Sequence, residues 1–129
     1  GDELNIIHKG HNYGCPAFTS AFNTMGTRIP IFTLKEAMIN RCCHGPPSIA
    51  VCGIQFYSGK AFRPWQNNLL AASLKFERLH RVVIENGEKV DEEIIFNAGS
   101  RVRDVEVGPG GLIYVALEDP GRIVRLSPL

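Results

Sequence analysis

The clearest pattern in the chain is a repeat of two. Val102–Val107 (V-R-D-V-E-V) alternates apolar and polar positions, as a strand does when one face is buried and the other meets water. Gly108-Pro109-Gly110-Gly111 turns it, residues 112–117 (LIYVAL) run back, Glu118-Asp119-Pro120-Gly121 turn again, and Arg122–Leu126 (RIVRL) forms a third run. Upstream, residues 48–57 (SIAVCGIQFY), 68–74 (NLLAASL), 79–85 (LHRVVIE) and 92–96 (EEIIF) predict four more strands. Ser58-Gly59 stops the first. Asn86-Gly87 joins the last two, and this pair is a strong hairpin signal because both residues tolerate positive φ.

These runs make two antiparallel meanders, a four-stranded unit over residues 48–97 and a three-stranded unit over 98–129. Repetition of four-stranded units every 40 to 50 residues or so points to a β-propeller. The fold class is therefore all-β, a partial β-propeller of about two to three blades whose last blade lacks one strand. An uncovered sheet edge is a liability that folds normally protect. The missing strand is expected outside this sequence or in a partner chain. Residues 1–47 are less regular: a strand over 3–7, a Gly/Asn-rich loop over 8–16, then few periodic signals. Thr33 as N-cap with Glu36 three residues later fits a helical turn or two over 33–39. An irregular loop fits equally well.

Composition narrows the class of function. With 129 residues the chain is one small domain, and its formal charge of +1 carries no basic stripe to neutralise phosphates. Nucleic-acid binding is not expected. The longest apolar runs, such as Leu69-Leu70-Ala71-Ala72, fall far short of the roughly 20 residues of a membrane span. No charged leader with an apolar stretch opens the chain, and Gly1-Asp2-Glu3 reads as the middle of a longer sequence. Four cysteines (Cys15, Cys42, Cys43, Cys52) are too unevenly spaced for a disulfide scaffold. Cys42-Cys43-His44 has zinc-ligand chemistry but lacks zinc-site spacing, because adjacent residues rarely reach one tetrahedral ion. A single bridge, for example Cys43 with Cys52, would suit an oxidising compartment.

Several segments together carry a family likeness. Asp2-Glu3-Leu4-Asn5-Ile6-Ile7 and Gly10-His11-Asn12-Tyr13-Gly14-Cys15-Pro16 begin it. Phe56-Tyr57-Ser58-Gly59, Phe62-Arg63-Pro64-Trp65 and Ser73-Leu74-Lys75 continue it. Arg101-Val102-Arg103-Asp104-Val105, Ile113-Tyr114-Val115 and Ile123-Val124-Arg125-Leu126-Ser127-Pro128 complete it. In order and spacing the chain resembles the glucose/sorbosone dehydrogenases, soluble aldose sugar dehydrogenases that depend on pyrroloquinoline quinone (PQQ) and fold as six-bladed propellers. Cys15 stands where that family usually has tryptophan, and Val51-Cys52 where it has Pro-Ser or Pro-Ala.

The resemblance implies site residues. Arg101 and Arg103 match the arginines that hold the quinone; alternate strand residues point the same way, so two guanidiniums can fork onto the carboxylates of a tricarboxylic quinone. Lys75 matches a lysine that contacts the same cofactor, with Ser73 and Leu74 lining that contact. Glu3 and the backbone carbonyl of Tyr13 match calcium ligands, and oxygen donors are what calcium takes. Read without the motif, the arginines are a solvated strand face, Lys75 a surface lysine and Glu3 an ordinary terminal acid. His8, His11, His44 and His80 each carry the chemistry of a general base, but none matches the family's catalytic histidine, which lies in earlier blades.

The resemblance thus implies the C-terminal part of a PQQ-dependent sugar or alcohol dehydrogenase, periplasmic or secreted, supplying cofactor-anchoring cations but no catalytic base. Alone it is expected to be inactive. A different class of reading is a non-catalytic propeller module, with or without calcium, that self-associates through its blade edges. Six blades of about 40 to 50 residues need roughly 240 to 300, so this chain is at most about half a ring.

Overall fold

The computed structural model describes residues 2–11, 13, 43–45 and 47–129, and these fall into two units, residues 1–47 and 48–129. In the first, β1 (Asp2–Leu4) pairs antiparallel with β2 (Cys43–Gly45), Glu3 opposite His44. The strand expected over 3–7 is thus a shorter one. Its partner carried no periodic signal, because a three-residue strand is too short to display one. The helical turn considered at 33–39 lies outside the described residues.

The second unit holds two antiparallel meanders. β3 (Val51–Phe56), β4 (Leu69–Ser73), β5 (Arg78–Glu85) and β6 (Glu88–Asn97) form one sheet in chain order. β7 (Val102–Val107), β8 (Ile113–Leu117) and β9 (Arg122–Leu126) form the other. They are successive blades of a β-propeller, four strands and then three. Between β3 and β4 lies a single 3-10 turn, Arg63–Trp65, with Pro64 in its first turn, where proline's fixed φ and missing N–H are tolerated. Asn86 and Gly87, at φ 53° and 80°, give the β5–β6 hairpin the left-handed pair that their sequence predicts.

The blades meet face to face. Leu70, Ala72 and Leu79 of one sheet pack with Val102, Val105, Ile113, Val115 and Leu117 of the other, all at most 4 % exposed. β4 is buried on both faces, as expected of an interior strand. Tyr57 locks the two sheets at one end. Its ring is fully buried, its hydroxyl donates to the Gly111 carbonyl at 2.7 Å, and the Phe62 N–H donates to that hydroxyl at 2.9 Å. Gly111 sits there at φ 77°, and a Cβ on it would stand 2.7 Å from the Lys60 nitrogen. No other residue fits this crossing. At the first strands, a Cβ on Gly53 would collide with the Asp104 carboxylate, so glycine lets β3 and β7 run side by side. Glu106 continues that contact, 3.4 Å from the Gln55 amide.

Candidate functional site

The start of β7 places the two arginines of the Arg-x-Arg motif. Alternation alone would put them on one face, but the pairing of β7 with β8 slips between Val102 and Asp104. Arg103 is the extra residue of a bulge, and Arg101 lies just before the strand. They converge all the same. Arg103 Nη2 lies 3.1 Å from Glu118 Oε2, and Arg101 Nη1 lies 3.7 Å from the same oxygen. Glu118 is delivered by the hairpin: Val102 pairs with Leu117, so the next residue outward on each arm is Arg101 and Glu118, and the Glu118 N–H donates to the Arg101 carbonyl at 3.0 Å.

Both guanidiniums remain about half exposed. The Glu118 carboxylate raises the Arg103 pKa above its ordinary value through a hydrogen bond and its charge, and the Cys52 thiol on β3 adds a smaller contribution. Beside Arg101 opens a cleft of about 380 Å³ whose walls are Glu77, Gly99, Ser100, Arg101, Glu118 and Asp119. The Asp119 N–H donates to Ser100 Oγ at 2.9 Å, which ties the two sides of the cleft together.

Lys75 lies in the turn between β4 and β5, exposed, its ammonium 5.3 Å from the Phe76 ring centroid. Glu77 of the same turn walls the arginine cleft, and its carbonyl accepts from the Ala98 N–H at 2.8 Å. Ser73 is fully buried. Its hydroxyl donates to the Ile49 carbonyl at 2.8 Å and accepts from the Phe76 N–H at 3.2 Å, so what it supplies is the position of the turn. The backbone N–H groups of Leu74 and Lys75 donate to Ala50 and Ile49, anchoring the same turn on the segment leading into β3.

In the first unit, Glu3 is placed by backbone pairing on β1, while its side chain lies outside the description. The Tyr13 hydroxyl donates to the Ile6 carbonyl at 2.8 Å and accepts from the His8 N–H at 2.6 Å, stapling the loop that follows β1. Among the described residues no group of three or more His, Cys, Asp and Glu converges as a metal cluster. Cys52 on β3 is a free, exposed thiol, and the Cys43 side chain lies outside the described residues. His80 is buried with Nδ1 2.7 Å from Glu92, a core histidine paired with a carboxylate.

The glucose/sorbosone dehydrogenase family model matches residues 1–125. The chain belongs to this family. The aldose sugar dehydrogenase YliI of Escherichia coli (strain K12) is 38% identical over 99% of the chain, which covers 36% of that protein. The structure of the soluble aldose sugar dehydrogenase of Escherichia coli in its apo form superposes with a TM-score of 0.88 at 32% identity. That match takes in the whole of this chain and 38% of the other. The PQQ-bound aldose sugar dehydrogenase of Streptomyces coelicolor shares the fold at a TM-score of 0.68 and 22% identity, over 98% of this chain and 36% of its own. The sequence thus spans a little over a third of the length of the relatives it matches.

Family membership sets the motif residues in context and leaves Glu118 without a counterpart in the sequence reading. The signal was present in the hairpin: once 102 is set opposite 117, residue 118 must flank residue 101.

Proposed function

We propose that this chain supplies the cofactor-anchoring part of a PQQ-dependent sugar or alcohol dehydrogenase, carrying cations that hold the quinone and no catalytic base. The observation that carries the reading is the convergence of Arg101 and Arg103 on a single carboxylate oxygen. Two guanidiniums aimed at one anionic oxygen are the donor set that a polycarboxylate needs, and Glu118 stands in for such a carboxylate. The residues present fit the group on that ground. When bound, the quinone supplies the hydride acceptor. Arg101 and Arg103 bind and orient its acidic edge, and the Asp119–Ser100 tie keeps the wall beside Arg101 in place.

Lys75 contributes a third cation from the β4–β5 turn, whose shape the Ser73 hydroxyl fixes and of which Leu74 is part. Calcium held by Glu3 and the Tyr13 carbonyl belongs to the same reading by family likeness, as does a periplasmic or secreted location. No described helix is long and apolar enough to cross a membrane. The test is a thermal melt with and without PQQ. Quinone is expected to raise Tm for the native sequence and to have no effect on the Arg101→Ala/Arg103→Ala variant. A shift that persists in the double variant would put the cofactor elsewhere.

A second reading is self-association as a structural module. It is favoured by β9, which among the described residues pairs only with β8 and exposes Ile123 at 73 %. Light scattering separates the two, since a monomer at all concentrations opposes edge pairing.

A further inference from the structure

The arginine pair does not present an empty fork. Both guanidiniums are engaged by Glu118 Oε2, and the adjoining cleft is walled by Glu77 and Asp119 as well. Three carboxylates so close to the cations offset the positive charge that an anion site needs. Of the three acids, Glu118 is the one in contact with the guanidiniums. Its backbone is pinned by the bond to the Arg101 carbonyl, while its side chain is 38 % exposed. The carboxylate can therefore swing into water without stranding a polar group, and the strand it hangs from need not move.

We propose that Glu118 is a built-in counter-ion of the arginine pair, one that holds the two guanidiniums together without ligand and competes with the carboxylates of an incoming polycarboxylate for the same donors. This deepens the cofactor-anchoring reading and rests on it. The physical cause is exchange: a ligand carboxylate seated between Arg101 Nη1 and Arg103 Nη2 takes the place of Glu118 Oε2, and a retained Glu118 would repel it at close range. Glu118 acts through the arginines and is a positioning residue.

The sign of a substitution separates competition from simple support. A residue that only shaped the site would weaken binding when altered, whereas a competitor strengthens it. The experiment is calorimetric titration of the purified protein with PQQ and, separately, with benzene-1,3,5-tricarboxylate, with circular dichroism confirming that each variant folds. Glu118→Gln is expected to bind both anions roughly threefold to tenfold more tightly. Glu118→Asp keeps the charge and is expected to stay near the native affinity, and Arg101→Ala/Arg103→Ala is expected to lose binding. Equal or weaker binding by Glu118→Gln, with the arginine variant still defective, would overturn the competition and leave the anchoring reading standing. The same tightening in an Arg101→Ala/Arg103→Ala background would also overturn it, because the effect would not run through the arginines. Failure of every form to bind would sink both.

Discussion

Removal of one oxygen atom from the Tyr57 side chain tests how the two blades are held together. Tyr57→Phe leaves the ring and its edge-on contacts with Phe62 and Trp65, at centroid distances of 5.9 and 6.4 Å. It deletes two hydrogen bonds, the one to the Gly111 carbonyl and the one from the Phe62 N–H. A hydrogen bond contributes about 0.5–1.5 kcal/mol net, and a polar group left buried without a partner costs about 1–3 kcal/mol. With Tyr57 fully buried, neither orphan is readily rehydrated, and the loss should be about 2–4 kcal/mol. Urea unfolding followed by the fluorescence of Trp65, the chain's single tryptophan, reads this directly. With a slope of about 2 kcal/mol per molar, the midpoint should fall by roughly 1–2 M at unchanged slope. A fall below about 0.3 M would mean that water replaces the hydroxyl, and the blade lock would be wrong.

Gly111→Ala should destabilise by about 1–3 kcal/mol, because it forces a side chain into positive φ and against Lys60, whereas Gly110→Ala, with open space around its Cα, should be near neutral in the same melt. Asn86→Ala should cost about 1 kcal/mol by straining the left-handed hairpin residue, measured by Tm. Burial alone would raise the Glu92 pKa, but the hydrogen bonds and charges of Lys89 and His80 outweigh it and hold it below its ordinary 4.5. A lowered carboxyl stabilises the fold above its unfolded pKa, and that stability is lost as pH falls through the folded value. The stability difference between the native sequence and Glu92→Gln should therefore be largest near about pH 7 and shrink toward about pH 3; a gap that stays constant would show that the charge of Glu92 is not what stabilises it.

How much was legible depended on whether burial or pairing makes each strand. β7 sets buried Val102 and Val105 against exposed Arg103 and Glu106, and its limits read directly from the V-R-D-V-E-V run. β6 begins at Glu88, earlier than the apolar run at 92–96 suggests, because Glu88–Asp91 is held by pairing with β5 on an exposed outer strand. Nothing in a polar outer strand distinguishes it from a loop until its partner is known. The same limit applied to the site. Arg101 and Arg103 were visible as a motif, but the bulge at Arg103 and the arrival of Glu118 are consequences of hairpin register, which no single residue encodes. Ser73 was legible as a position and not as a role, since its two backbone bonds appear only once the β4–β5 turn closes on Ile49.

Whether the arginine pair receives an anionic quinone would be seen in a crystal structure of the protein grown with PQQ. Quinone carboxylate oxygens are expected within hydrogen-bond distance of Arg101 and Arg103, with Glu118 turned away from both. Quinone bound away from the start of β7, or Glu118 still seated on both guanidiniums beneath a bound quinone, would contradict this arrangement.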